Sequence, residues 1–296
     1  MTEKLYKFLK PNEFSFKAIG SSSIWFANRT TFNDPYEGQL ALINEDYDTS
    51  KDNFYRDLTE RCGRFPGRRV DRQSLIPPGT TPEQIFENVK NKAKEFVEFA
   101  KEELNRKDGV SCFCQNGDIP ALENLTMWSH YGDGMKGLCI EFDKQKLTKS
   151  FDQLGAKNGL WELSKAAPVW IGSDNVDYRD ERPTINTLDF LDKYLTNHPN
   201  GDISYTWDDL IFPMTNVKPR VFENERECRF VARDAIPKGA EGASLEFCPQ
   251  SILSVTFGCN MDNQSRKTFE RLFTNLGLTE FKTAKIHEKS YTIEVF

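Results

Sequence analysis

The chain has 296 residues, with 45 acidic and 39 basic side chains and a formal net charge of −6. Because 38% of the residues are hydrophobic, collagen-like, low-complexity and intrinsically disordered classes are excluded. The longest apolar runs, such as Ile24–Ala27, fall far below the roughly 18 residues of a membrane span. Residues 1–7 lack the apolar stretch of a signal peptide. The sequence therefore predicts a globular, cytoplasmic protein with no membrane partner.

The seven cysteines and three histidines do not form a recognisable framework for disulfides or metals. An odd number of cysteines without a Cys-x-x-Cys pair favours reduced thiols over a disulfide scaffold. Zinc sites need clustered Cys or His ligands, and His130, His198 and His287 are widely separated. We therefore predict no metal site.

The first hundred residues alternate clear elements with a long polar stretch. Leu5–Leu9 is predicted as a strand, followed by a helix that Asn12 caps and that runs to Ile19. Ser23–Ala27 is a second strand, and Asn33-Asp34-Pro35 has the composition of a turn. Residues 43–107 are predicted to be a helical insertion. Within it, a short helix is expected at 54–58, and a longer one after Thr81 as N-cap with Pro82 in its first turn.

The rest of the chain is predicted to mix strands and helices. The expected elements are strands at Val110–Cys114, Gly137–Asp143, Arg229–Ala232 and Leu253–Gly258, helices at Ala121–Tyr131, Phe190–Leu195 and Phe269–Leu276, the last closed by Gly277, and a hairpin of 281–287 with 291–296. This order favours an α+β fold with a mixed or antiparallel sheet over regular βαβ units. We predict one domain, residues 1–296.

Polar and aromatic side chains crowd the segment from Met127 to Gly137. Trp128 and Tyr131 are three residues apart and share a face if the segment is helical, with His130 on a neighbouring face. Such a surface could stack a planar ring and hydrogen-bond it. The alternative interpretation is that Trp128 belongs to the core and His130 has a structural role.

Three glutamates alternate in the segment from Lys218 to Arg229. On an extended chain Glu223, Glu225 and Glu227 lie on the same face. Paired carboxylates of this kind can stabilise a developing cation on a sugar or polarise a hydroxyl nucleophile. An exposed acidic strand or a ladder of salt bridges would give the same pattern.

Taken in order, several motifs resemble the bacterial domain-of-unknown-function family 2971. They are Leu5-Tyr6-Lys7-Phe8, Ile24-Trp25-Phe26, Phe32-Asn33-Asp34-Pro35-Tyr36-Glu37, Val110-Ser111-Cys112-Phe113, Met127-Trp128-Ser129-His130-Tyr131, Lys136 to Asp143, Val176-Asp177-Tyr178 and Lys218 to Arg229. The chain departs from the family pattern at Phe222, where tryptophan is common, and at Cys228, where an aromatic residue is usual. The resemblance implies that the polar residues form one site, without naming a reaction.

A second resemblance, at the level of architecture, is to ADP-ribosyltransferases. It implies that Lys7 holds the nicotinamide-side ribose or phosphate of NAD, that Ser111 supports the pocket, and that Glu227 bonds the ribose hydroxyl while Glu225 activates the acceptor. Lysine departs from the arginine or histidine that is usual at the first position. Either Trp128 or Tyr131 would stack the nicotinamide.

Three further residues of the ordered motifs complete the candidate site. Asn33 and Arg229 are expected to help bind NAD, and His130 is expected to take part in catalysis.

These expectations lead to one functional hypothesis and two alternatives. The hypothesis is an NAD-dependent transferase that modifies a macromolecule, either protein or nucleic acid, as a toxin or phage-defence effector with a possible neutralising partner. One alternative is a noncatalytic sensor of a nucleotide or another ligand. The other is a hydrolase or nuclease that uses His130, Asp34 and the glutamates.

Overall fold

The computed structural model describes residues 3–32, 34, 36, 42–44, 78–81, 108–157, 171–186, 215–233, 235–237 and 239–296, with scattered positions from 83 to 102. The chain forms two compact units. Residues 1–33, 106–178 and 220–296 make up the first unit, and residues 34–105 and 179–219 make up the second. Asn33 and the predicted helices at 54–58 and 190–195 lie outside the described residues.

The described residues form fourteen strands and four α-helices whose first and last residues are defined. The strands are β1 Lys4–Leu9, β2 Ser23–Asn28, β3 Leu42–Asn44, β4 Gly109–Cys114, β5 Leu138–Asp143, β6 Ile171–Asn175, β7 Asp177–Arg179, β8 Thr184–Asn186, β9 Val217–Pro219, β10 Glu227–Ala232, β11 Gly242–Glu246, β12 Ile252–Gly258, β13 Lys282–Ile286 and β14 Ile293–Val295. The helices are α1 Glu13–Gly20, α2 Leu125–His130, α3 Lys144–Lys157 and α4 Asn263–Asn275, and 3₁₀ turns span Arg29–Thr31, Ala121–Glu123, Arg220–Glu225 and Pro249–Ser251.

The first unit is built on a mixed sheet in which eight strands follow the order β11-β2-β4-β1-β5-β12-β13-β14, while β10 pairs with β4 and β6. All pairings described for this sheet are antiparallel except that of β12 with β13. Helix α4 makes the crossover that a parallel pair requires. The α+β class and the C-terminal hairpin, here β13 and β14, are confirmed.

Strand β4 lies at the centre of the sheet, and its two edges are occupied differently. Along one edge it pairs with the full length of β10, from Cys114 opposite Glu227 to Gly109 opposite Ala232. Along the other edge it pairs with β2 at Gly109 and Val110, and with β1 where Cys114 faces Tyr6. Strands β1 and β4 therefore separate beside the Tyr6 position.

The two faces of this sheet carry separate hydrophobic clusters. Leu5 of β1 contributes to the larger cluster, which also contains phenylalanines from β4, β5, β10, β12 and α4. Tyr6 and Phe8 contribute to the smaller cluster on the other face, with Cys114 and Trp128. The alternation along β1 is the two-residue period of a strand that is buried on both faces. Tyr6 and Phe8 are consequently almost completely buried.

The second unit contains a short parallel pair and a helical segment. Strand β3 pairs with β8, with Ile43 opposite Ile185. Described residues from 83 to 102 are helical. Thr81 begins this segment as predicted, because its Oγ1 accepts from the N–H of Gln84 at 3.3 Å and its own N–H donates to Oε1 of Gln84 at 2.9 Å. The single-domain assignment and the 43–107 bounds of the insertion stay predictions.

The predicted caps at Asn12 and Gly277 are present, whereas the helix predicted at Ala121–Tyr131 is divided into two shorter elements. The Oδ1 atom of Asn12 accepts from the N–H of Ser15 at 2.9 Å and starts α1. Gly277 follows α4 with a φ of 93°, which glycine adopts without strain. The single helix predicted from Ala121 to Tyr131 is instead a 3₁₀ turn followed by α2, because Asn124 ends the first element and caps the second.

Candidate functional site

The ammonium group of Lys7 bridges strands β1 and β4 beside the point where they separate. Its Nζ donates to Ser111 Oγ at 3.0 Å and to the carbonyl oxygen of Cys112 at 2.9 Å. It also lies 4.8 Å from the centroid of the Phe113 ring. Burial lowers the pKa of Lys7, and the negative charge of Glu227 partly offsets that effect. Lys7 and Ser111, predicted to share a site, are in direct contact.

Strand β10, which pairs with β4, carries a buried ion pair between Glu227 and Arg229. Glu227 lies opposite Cys114, and Arg229 lies opposite Cys112. The Nε atom of Arg229 donates to Oε2 of Glu227 at 2.8 Å, with the two side chains 1% and 7% exposed. Burial of two charges is costly unless they pair with good geometry and further hydrogen bonds. The pair fixes the orientation of the Glu227 carboxylate.

A second buried carboxylate is held by a tyrosine. Glu225 ends the 3₁₀ turn and is 4% exposed. The hydroxyl of Tyr131, just beyond α2, donates to Oε1 of Glu225 at 3.1 Å. Burial, followed by the charges of Glu225 and Glu227, raises the pKa of Tyr131 well above its usual range. Tyr131 is therefore a neutral hydrogen-bond donor at physiological pH.

Tyr178 joins the cluster from β7. Its phenolic oxygen accepts a hydrogen bond of 2.8 Å from the backbone N–H of Glu227. Burial is the main cause that raises the pKa of Tyr178. Burial and the charges of Glu225 and Glu227 likewise raise the pKa of Cys114 to about 12. Tyr178 belongs to one of the ordered family motifs, and its contact with the first residue of β10 places it beside Glu227.

The predicted row of glutamates on an extended strand is wrong. Residues 220–225 form a 3₁₀ turn, which the N–H of Arg226 closes by donating to the carbonyl of Glu223 at 3.1 Å. Arg226 then has a φ of 45°, in the left-handed region that non-glycine residues seldom adopt. Strand β10 starts only at Glu227, and Glu223 is more exposed than Glu225 or Glu227.

Trp128 does not provide the stacking surface that we predicted. Its side chain has no exposed area, and its Nε1 donates to the carbonyl of Leu122 at 2.8 Å. The ring makes an edge contact with Phe8 at a centroid distance of 5.1 Å, and a Cβ atom on Gly132 would lie 2.8 Å from it. The alternative interpretation of Trp128 as a core residue is correct.

His130 and Asn33 are not placed in the cluster. His130 ends α2 with an exposed side chain, and its ring centroid lies 6.5 Å from that of Tyr131. Asn33 is outside the described residues. Six predicted residues instead form three pairs in contact, Lys7 with Ser111, Tyr131 with Glu225, and Arg229 with Glu227. Tyr178, which had no predicted role, accepts from the backbone N–H of Glu227.

The described residues contain no group of three or more His, Cys, Asp or Glu side chains arranged to hold a metal ion. The six cysteines described, Cys62 being outside this part of the chain, are all free thiols. No helix in the same residues is both long and apolar enough to cross a membrane.

Fold and cluster together define an α+β protein with a buried polar site beside the separation of two central strands. Residues 127–230 match the model of the family described as a protein of unknown function, DUF2971. The predicted resemblance to that family is confirmed over this segment, which contains Tyr131, Tyr178, Glu225, Glu227 and Arg229. No curated protein and no solved structure matches the chain.

Proposed function

We propose that the first unit binds NAD and transfers its ADP-ribose group to a macromolecule. One observation carries the proposal. Lys7, Ser111 and Glu227 lie on β1, β4 and β10, in the order in which the resemblance to ADP-ribosyltransferases assigns their roles. Lys7 donates to Ser111 Oγ at 3.0 Å, and burial lowers the pKa of Lys7 while the charge of Glu227 partly offsets that effect. Lys7 and Glu227, 220 positions apart in the sequence, thus lie on two strands that both pair with β4.

The reaction requires a carboxylate close to the ribose. The bond between the anomeric carbon and the nicotinamide nitrogen breaks, and nicotinamide leaves with the electron pair. An acceptor nucleophile then forms the new bond to the anomeric carbon and loses a proton. Glu227 would accept a hydrogen bond from the ribose hydroxyl and stabilise the cation-like transition state. Arg229 holds Glu227 in place for that purpose.

The remaining residues of the cluster suit the other tasks of the transfer. Glu225, held by Tyr131, would take the proton from the acceptor. Lys7 uses two of its three N–H donors on Ser111 and Cys112, which leaves one donor for a phosphate or ribose oxygen. Because Trp128 is core, Tyr131 is the ring that would stack the nicotinamide.

The compartment and biological role are part of the same proposal. The six described cysteines are free thiols, as is usual in a reducing cytoplasm. A transferase that modifies macromolecules there would act as a toxin or phage-defence effector. A neutralising partner would protect the producing cell, and expression of the wild type without it should arrest growth.

The proposal is tested by incubating the protein with labelled NAD, cell lysate and nucleic acid. Wild type is compared with Glu227→Gln, and with Glu246→Gln as a matched control at an exposed site of the same unit. We expect label transfer and nicotinamide release by the wild type and the control, and a loss of at least a hundredfold with Glu227→Gln. Absence of both products from all three proteins would overturn the proposal.

A noncatalytic sensor is the second candidate. The ion pair with Arg229 occupies one carboxylate oxygen of Glu227 and partly neutralises the charge that would stabilise a developing cation, which favours binding without turnover. Binding of NAD by wild type without nicotinamide release, measured by calorimetry in the same preparation, would select the sensor over the transferase.

A further inference from the structure

A cavity in the first unit lies apart from the residues assigned above. Its volume is about 320 Å³, at the lower end of the range typical of small-ligand sites. The lining mixes apolar groups with an amide, a phenol, an amine and a carboxylate. The lining residues are Tyr6, Asn116, Pro120, Leu122, Glu123, Lys282, Val295 and Phe296.

The polar side of the cavity is oriented by a chain of hydrogen bonds. Asn116 Oδ1 accepts from the N–H of Ala121 at 2.9 Å, and Asn116 Nδ2 donates to the Tyr6 hydroxyl oxygen at 3.1 Å. Tyr6 is 5% exposed, and burial raises its pKa, so the phenol keeps its proton. Since the hydroxyl oxygen is the acceptor from Asn116, its hydrogen can be donated to a ligand.

The cationic side is provided by two lysines that share one carboxylate. Lys4 Nζ lies 2.6 Å from Oε1 of Glu141, whereas Lys282 Nζ lies 4.0 Å from Oε2 of the same side chain. Lys282 Nζ also donates to Ser254 Oγ at 3.4 Å. Because its ion pair with Glu141 and this hydrogen bond are both long, the ammonium keeps a donor for an anion in the cavity.

The aromatic side is the ring of Phe296, which is 68% exposed at the rim. Its backbone is fixed by reciprocal hydrogen bonds with Thr283, at 3.1 and 3.0 Å. The ammonium of Lys285 lies 5.4 Å from the ring centroid. The Phe296 ring is therefore solvent-exposed, close to the Lys285 ammonium, and suited to stacking on a planar ligand.

We propose that this cavity binds a nucleoside 5′-monophosphate, with the phosphate on Lys282, the base stacked on Phe296, and the ribose hydroxyls donating to Glu123. A lone phosphate would not use Phe296, and a purely apolar ligand would leave Lys282 and Glu123 without a role. The inference goes beyond the proposed function, because none of the lining residues belongs to the cluster around Glu227.

The proposal is tested by calorimetric titration of the full chain with AMP, adenosine and inorganic phosphate. AMP should bind at least tenfold more tightly than either fragment. Lys282→Ala should weaken AMP binding about tenfold by removing a charge-assisted hydrogen bond, and should leave adenosine binding unchanged. Phe296→Ala should weaken the binding of both AMP and adenosine. Lys267→Ala, at an exposed position of α4, is the matched control.

Two results would overturn the assignment: equal AMP affinity of the Lys282 and Lys267 variants, or AMP binding no tighter than phosphate. Glu227→Gln should bind AMP like wild type, which separates this site from the proposed transferase activity. Competition by NAD would assign the site to the AMP half of the dinucleotide, and lack of competition to a free mononucleotide. Both of these results support a nucleoside monophosphate site.

Discussion

Arg229 donates from Nε to Oε2 of Glu227 at 2.8 Å, and both side chains are almost completely buried. The two residues lie on the same face of β10, two positions apart, opposite Cys112 and Cys114 of β4. Neither charge can reach water if the other is removed. The pair therefore links the stability of the central sheet to the geometry of the candidate site.

Removal of the Arg229 charge should destabilise the fold. Arg229→Met leaves Glu227 as a buried carboxylate without its guanidinium, which costs about 3–5 kcal/mol of unfolding free energy. Chemical denaturation at pH 7 measures this change. Arg271→Met, at an exposed position of α4, should change the free energy by less than about 0.5 kcal/mol. Similar losses in the two variants would contradict the buried pair.

The buried amine of Lys7 should give the stability a characteristic pH dependence. Burial lowers the pKa of Lys7 in the folded protein below its ordinary value of 10.5. Between the folded and unfolded pKa values the unfolded chain binds more protons, so the free energy of unfolding rises with pH. The wild type should consequently gain stability relative to Lys7→Met as the pH increases towards 10.5.

Denaturation of the wild type and Lys7→Met from pH 7 to pH 10.5 measures that difference. Lys17→Met is the control, because Lys17 is exposed on α1. Its difference from the wild type should stay flat over this range. A flat difference for Lys7→Met as well would show that the Lys7 ammonium is not destabilised in the fold.

Tyr178 should affect stability through its hydrogen bond to the start of β10. Tyr178→Phe leaves the backbone N–H of Glu227 without its phenolic acceptor, and should cost about 1–3 kcal/mol of unfolding free energy. The raised pKa of Tyr178 also makes the free energy of unfolding depend on pH in the alkaline range. Above the ordinary phenol pKa of 10 the folded state binds more protons than the unfolded state, so wild-type stability falls with pH.

The fall in stability above pH 10 should be shallower in Tyr178→Phe than in the wild type. Tyr291→Phe, at a fully exposed position, should leave both neutral stability and this slope unchanged. A spectrophotometric titration of the phenols checks the same assignment. Ionisation of Tyr178 together with exposed tyrosines would show that it is not buried against β10.

The local elements of the site were predictable, whereas its detailed geometry was not. The composition of Leu5–Leu9 and the Asn12 cap are local patterns that involve only a few neighbouring residues. They predicted strand β1 and the start of helix α1, and the structure contains both. Periodicity could not tell whether Trp128 faces the core, because helix α2 has a single full turn beyond its cap. The contact of Tyr178 with β10 depends on strand pairing between distant segments, which no local pattern encodes.

The prediction of an extended strand from Glu223 to Glu227 is wrong for a different physical reason. Alternating charges from Glu223 to Glu227 have the two-residue period of a strand, but the chain turns before β10 begins. The turn needs a positive φ at Arg226, and arginine gives no sign of that conformation in a sequence. The Lys7 and Ser111 contact was found through the ordered motifs and not through local structure.

The turn at Arg226 leads to the last prediction. Arg226 has a φ of 45° between the buried carboxylates of Glu225 and Glu227, and its carbonyl accepts from the N–H of Gln115 at 2.9 Å. Arg226→Gly should keep the turn, because glycine adopts positive φ freely. Its ion pair with Asp118 is exposed and long, at 3.6 Å, so the loss of that contact should be small.

Arg226→Val should instead cost about 1–3 kcal/mol, since a β-branched residue is strained at positive φ. Both variants remove the same charge, so the difference between their free energies of unfolding isolates the backbone effect. Denaturation measures that difference, and NAD binding by each folded variant measures the placement of Glu225 and Glu227. Equal stability of the glycine and valine variants would show that the left-handed turn is not needed to position the two carboxylates.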